Sequence, residues 1–137
     1  MQAMPEETLL AFDYGTKKIG VAIGNTLTRV ARPLEILRSV TREQRFSAIA
    51  QLLETWQPDR VVVGLPLALN GETQYATLRC RRFANQLHGR FGVLVELVDE
   101  RGSSVEAQEL LGTNAPDDAV AAAVILQRYL DALTPPN

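Results

Sequence analysis

The chain has 137 residues, 46% hydrophobic and 22% charged, a size and balance that fit one globular domain able to bury a core without staples. No stretch approaches the ~20 apolar residues of a membrane span. The N-terminus lacks a basic segment followed by an apolar run, and the single Cys80 excludes an internal disulfide, which fits a reducing cytoplasm.

The net charge of −2 conceals an asymmetry. Residues 14–90 hold 12 Lys and Arg against five Asp and Glu, whereas residues 91–137 hold two against eight. A polyanion track leading to a carboxylate cluster and ordinary solvated helix charge both fit this pattern. The acidic total argues against a tight, non-specific nucleic-acid coat.

Leu9 to Phe12 is an apolar run that ends in Asp13, Gly15 supplies a tight turn, and Ile19 to Ile23 runs back as a second strand. Asp13 therefore stands at an exposed strand end beside a glycine, a setting suited to holding a metal or a phosphate. Asn25 to Ala31 is turn-like, and Arg32 to Leu37 reads as a third strand with Pro33 near its start. Thr41 to Gln44 matches a capping box. Phe46, Ile49, Ala50, Leu53 and Trp56 then recur at helical spacing until Gln57-Pro58 ends the helix. Arg60 to Pro66 is β-branched and apolar, the mark of a strand buried on both faces.

After a loop from Leu67 to Glu72, a helix from about Thr73 to His88 places Leu78, Phe83, Ala84 and Leu87 on its core side. Cys80 is expected to pack and His88 to cap the helix end. Arg79, Arg81 and Arg82 form either an exposed face or a phosphate grip, while Tyr14 and Trp56 are assigned to packing. Val93 to Val98 is a further strand, followed at once by Asp99-Glu100-Arg101. Ser103 to Glu106 opens a short helix that Leu111-Gly112 closes, and a last helix runs from about Pro116 to Leu133.

The order predicts an α/β fold: a mixed five-stranded sheet, an antiparallel meander then two parallel strands, with helices on both faces. Residues 1–137 form one domain, with flexible termini at about 1–7 and 134–137. Ligands gather beyond the carboxyl ends of parallel strands, and Asp13, Gly64-Leu65-Pro66 and Asp99-Glu100-Arg101 all fall at strand ends. In the last helix, Asp118 shares a face with Ala121, Ala122 and Ile125. Small residues there let the helix approach the sheet, although an acid in a first turn also suits the helix dipole.

Converging carboxylates repel one another unless cations join them. Hard oxygen ligands suit Mg²⁺ or Mn²⁺, and two such ions about 3.5–4 Å apart can activate a water and stabilise the leaving oxygen of a phosphodiester. Strand alternation places Asp99 and Glu100 on opposite faces and leaves open which of them joins such a cluster. Which of the adjacent Asp117 and Asp118, at the start of the last helix, joins it is open as well.

Several motifs together resemble one family: Ala11 to Ala22, Val63 to Leu67 with Asn70-Gly71, Arg81 to Ala84, Asp99-Glu100-Arg101 with Ser104 to Ala107, and Asp118 before the Ala-rich helix. The chain resembles the YqgF (RuvX) proteins over nearly its whole length. That resemblance implies an RNase H-like fold and a two-metal nuclease with Mg²⁺ or Mn²⁺ on Asp13, Glu100 and Asp118. It also implies that Lys17, Arg82 and Arg101 contact nucleic-acid phosphates. The expected activity is cytoplasmic processing of the 5′ end of pre-16S rRNA by a monomer or weak homodimer. Holliday junction resolution, or a non-catalytic role in ribosome assembly, is the alternative. The Asp13-x-Gly-Thr segment also resembles the phosphate loop of actin-like ATPases and sugar kinases, but those folds need two related domains and a second such loop.

Overall fold

The computed structural model describes residues 6–15, 17–38, 41–66, 74–99 and 118–133. Within them the chain forms β1 (Thr8–Tyr14), β2 (Lys18–Asn25), β3 (Ala31–Arg38), α1 (Arg42–Trp56), β4 (Arg60–Leu65), α2 (Tyr75–Phe91), β5 (Leu94–Asp99) and α3 (Asp118–Ala132). The expected helix between Ser103 and Leu111 lies outside the described residues.

The strands form one sheet in the order β3-β2-β1-β4-β5. β1 to β3 are antiparallel neighbours, whereas β1, β4 and β5 are parallel. This is the mixed sheet expected from the sequence. Pro33 sits on edge strand β3 beside a register shift opposite Val21 and Ala22, where a missing N–H is tolerated.

Alternation along β1 divides the core. Leu10 and Phe12 face α1 and α2 with Ile19, Val21, Phe46, Ile49, Phe83 and Leu87. Leu9 and Ala11 face α3 with Ala22, Val62, Ala122, Ile125 and Leu126. β4 lies between these layers, and Val61 to Val63 are fully buried, as its unbroken apolar run requires.

α1 begins as predicted. The Thr41 hydroxyl accepts from Gln44 N–H at 3.1 Å, and the Gln44 side chain accepts from Thr41 N–H at 3.1 Å. α2 differs in two respects. Its buried positions are Thr77, Cys80, Phe83, Ala84 and Leu87, while Leu78 is 57% exposed; residue 78 lies a full helical step, about 100°, beyond Thr77. The helix also continues past His88 to Phe91 and ends at Gly92, whose φ of 67° is the left-handed conformation glycine adopts freely. His88 stands in the last turn, its backbone carbonyl accepting from Gly92 N–H and its ring bonded to the Val93 carbonyl at 3.1 Å. Cys80 is buried, and Trp56 packs against the α1/α2 core.

Glu6 and Glu7 are both tied to the rest of the fold: the Asn25 side-chain amide donates to Glu6 Oε1 at 3.0 Å. Glu7 N–H donates to Thr26 Oγ1 at 2.9 Å, and its carboxylate pairs with Arg60 at 2.8 Å. No described helix is long and apolar enough to cross a membrane.

Candidate active site

The parallel arrangement brings the carboxyl ends of β1, β4 and β5 to one rim, where Tyr14, Leu65 and Asp99 end their strands. Asp13 shares the parity of Leu9 and Ala11, so alternation turns it toward the α3 side of the sheet. Asp118 opens α3 at the same rim. Asp13 and Asp118, 105 positions apart by their residue numbers, line one cleft of about 310 Å³ together with Gly15, Lys17 and Lys18.

The close approach of α3 comes from the strand as much as from the helix. Ala119, Ala121 and Ala122 are buried on α3, and on β2 the positions facing it are Gly20, Ala22 and Gly24. A Cβ added to Gly20 would lie 1.9 Å from the Asp118 carbonyl oxygen, and one added to Gly24 would lie 3.2 Å from Leu126 Cδ2. Gly20 is also the cross-strand partner of Asp13. One missing side chain therefore lets the helix that carries Asp118 settle against the strand pair that carries Asp13. The alternation of small residues at 20, 22 and 24 is the sequence signal for this approach, and reading the alanines of α3 alone overlooks it.

The electrostatics of the cleft include a cation. Lys18 Nζ lies 3.5 Å from Asp118 Oδ2, with the two side chains 48% and 29% exposed. Lys18 is thus a site residue that the sequence reading did not single out, while the predicted Lys17 is exposed and lines the same cleft. Arg82 is exposed on α2, which packs on the other face of the sheet, and it is not among the residues lining the cleft. Glu100, Arg101 and Asp117 lie outside the described residues. Asp99 has the parity of Val95, which packs on the α1/α2 side, whereas Val98 packs on the α3 side. Arg128 of α3 donates to the Asp99 carbonyl at 2.9 Å, fastening the end of β5 to that helix.

Two carboxylates at one solvent-reached cleft form a hard-oxygen donor set that suits Mg²⁺ or Mn²⁺, and the ammonium of Lys18 already sits where positive charge is favoured. Among the described residues, Cys80 is buried within α2 and His88 lies in that helix's last turn, both away from the residues that line this cleft.

Comparison with known proteins agrees with this architecture. The sequence model of the RuvX family, described as Holliday junction resolvase, matches residues 7–132. A Bordetella petrii protein named "Putative pre-16S rRNA nuclease" is 78% identical over 95% of this chain and 99% of its own length. A Burkholderia mallei protein of the same name is 56% identical over 93% of this chain and 90% of its own. Among solved structures, Thermus thermophilus RuvC in complex with a Holliday junction substrate superposes with a TM-score of 0.58 at 17% identity, covering 92% of this chain and 94% of that one. The fowlpox virus resolvase, in complex with Holliday junction DNA, gives 0.59 at 14% identity, covering 91% and 97%. These structural likenesses place the fold in the RNase H-like class.

Proposed function

Since this chain belongs to the RuvX family, we propose that it is a metal-dependent nuclease that processes the 5′ end of pre-16S rRNA in the cytoplasm. The observation that carries this reading is the meeting of Asp13 and Asp118, from opposite ends of the sequence, in one cleft at the carboxyl ends of the parallel strands. The names of the Bordetella and Burkholderia relatives support the choice of substrate.

Asp13, Asp118 and Glu100 would hold the divalent ions. Glu100, which lies outside the described residues, is included on the strength of the family resemblance. When bound, Mg²⁺ or Mn²⁺ supplies activation of a water and charge stabilisation at the leaving oxygen. The protein's own contribution is positional. Gly20 sets the depth of α3, Lys18 balances Asp118, and Lys17 offers an exposed ammonium for a substrate phosphate at the mouth of the cleft. Arg82 and Arg101 are proposed as further phosphate contacts.

Cleavage of four-way DNA junctions is the second reading, and the description of the RuvX family favours it. Symmetric resolution needs two active sites related by a two-fold axis, so a strictly monomeric protein counts against that substrate.

The deciding assay compares wild type with Asp13→Asn on precursor 16S rRNA, plain single strands and four-way junctions, each with Mg²⁺, Mn²⁺ or EDTA. The expected result is cleavage of the precursor by wild type with metal only, and none by the variant. Equal cleavage by both proteins, or full activity in EDTA, overturns the mechanism. A folded wild type that binds RNA and cleaves nothing identifies a non-catalytic assembly factor instead.

A further inference from the structure

The residue after Asp13 begins a second feature on the other face of the sheet. Tyr14 shares the parity of Phe12, and its ring stacks on the buried ring of Phe83 with centroids 4.3 Å apart and planes 24° from parallel. Two arginines cover it. Arg45 donates to the Tyr14 hydroxyl at 3.0 Å with its guanidinium 5.4 Å from the ring centre, and Arg79 lies 5.7 Å from the same centre. Arg79 also lies 5.8 Å from the ring of Tyr75, one helical turn earlier. Tyr75 is 76% exposed.

These contacts form a graded series from core to solvent: Phe83 fixes Tyr14, Tyr14 holds the arginines, and Arg79 leans on an exposed tyrosine at the start of α2. The charge along α2 has one sign. α2 carries Arg79, Arg81, Arg82 and Arg90 and no Asp or Glu over its whole length. An exposed aromatic ring beside guanidinium groups suits unpaired bases, because a base offers its flat face for stacking while the adjoining phosphate meets a cation. A duplex keeps its base faces inside its own stack and cannot use the ring.

We propose that Tyr75 and Arg79 form a platform for a single-stranded segment of the nucleic-acid substrate, with Tyr75 stacking on a base and Arg79 holding a phosphate, so that the strand passes over the end of β1 toward Asp13. This rests on the reading of the chain as a protein that binds nucleic acid. It assigns the strand an approach from the α1/α2 side of the rim, opposite the face covered by α3.

The test measures binding without turnover. Fluorescence anisotropy in EDTA follows a labelled single-stranded RNA and a blunt duplex of the same sequence, against wild type, Tyr75→Ala, Tyr75→Phe and Arg79→Ala. Wild type is expected to favour the single strand. Tyr75→Ala should weaken that binding about tenfold with an unchanged salt dependence, and Tyr75→Phe should stay within about twofold of wild type. Arg79→Ala should weaken it and lower the salt slope by about one. Wild-type strength in Tyr75→Ala, a Tyr75→Phe as weak as Tyr75→Ala, no single-strand binding by wild type, or equal dependence of duplex binding on Tyr75 each overturns the platform. Cleavage with Mg²⁺ is read separately, so single-strand binding that depends on Tyr75 in a protein that cuts nothing removes the nuclease reading and leaves the platform standing.

Discussion

Gly20 lies directly beneath the Asp118 carbonyl, where a Cβ would come within 1.9 Å of the oxygen. The contact is backbone on backbone, so no side chain can rotate away to relieve it. Gly20→Ala must displace the first turn of α3, and overpacking of this kind costs roughly 1–3 kcal/mol. Because the displaced turn carries Asp118, activity should fall further than stability does. Gly89→Ala is the matched control: nothing lies within 4 Å of its added Cβ, and it stands inside α2, so it should stabilise by about 0.5–1 kcal/mol. Urea unfolding of both variants, alongside cleavage assays, checks the contrast; equal stability in the two would remove Gly20 as the seat of the helix.

Lys18 and Asp118 form an ion pair whose lysine is about half exposed. Such a pair contributes at most about 1 kcal/mol to stability, so Lys18→Met should change the urea midpoint little. Its effect should appear with metal instead. The ammonium competes with a cation for the Asp118 carboxylate, and ligand binding to the native state raises the melting temperature with concentration. Lys18→Met should therefore reach a given Mn²⁺-induced rise at a lower Mn²⁺ concentration than wild type. A requirement for more Mn²⁺ would show that the lysine supports the metal rather than competing with it.

Much of this arrangement is legible in the sequence. The Leu9 to Asp13 run, the capping box at Thr41 and the β-branched run at Val61 each carry a local signal that tertiary packing reinforces. The α2 face is less legible, because Thr77 holds a core position that a hydrophobicity pattern assigns to Leu78, while Cys80 packs as expected. The reason for burying Thr77 is non-local: its hydroxyl donates to the carbonyl of Pro66 at the end of β4. At the cleft, Asp13 follows from its strand end and Asp118 from the family resemblance, but Lys18 follows from neither. Its role depends on α3 returning over β2, a contact between elements about a hundred residues apart that no local pattern encodes.

Thr77 is buried completely, and it also accepts a hydrogen bond from Gln74 N–H at 3.0 Å. Its hydroxyl thus fastens the start of α2 to the end of β4. Thr77→Val keeps the shape and leaves the Pro66 carbonyl and the Gln74 N–H without that partner, at a cost of about 1–3 kcal/mol. Thr77→Ser keeps the hydroxyl and should recover most of the hydrogen-bonding contribution. Thermal unfolding of the two variants separates the hydrogen bonds from packing; a serine variant as unstable as the valine one would assign the effect to the lost methyl group.

Tyr129 of α3 gives the protein an alkaline limit. Burial pushes its phenol above the usual tyrosine value, the Glu96 carboxylate pushes in the same direction, and Arg60 partly opposes them. Arg60 itself is raised, first by its hydrogen bond to Glu7 and then by that carboxylate's charge. A phenol whose folded-state pKa is raised favours the neutral form in the native protein. Its stabilising contribution is complete below the unfolded value of about 10 and is lost as pH rises from there through the folded value. Wild type should therefore lose stability above about pH 10 more steeply than Tyr129→Phe, which has no proton to release at that position. Urea unfolding of both proteins at successive alkaline pH values measures the difference, and parallel pH profiles would show that the phenol carries no such linkage.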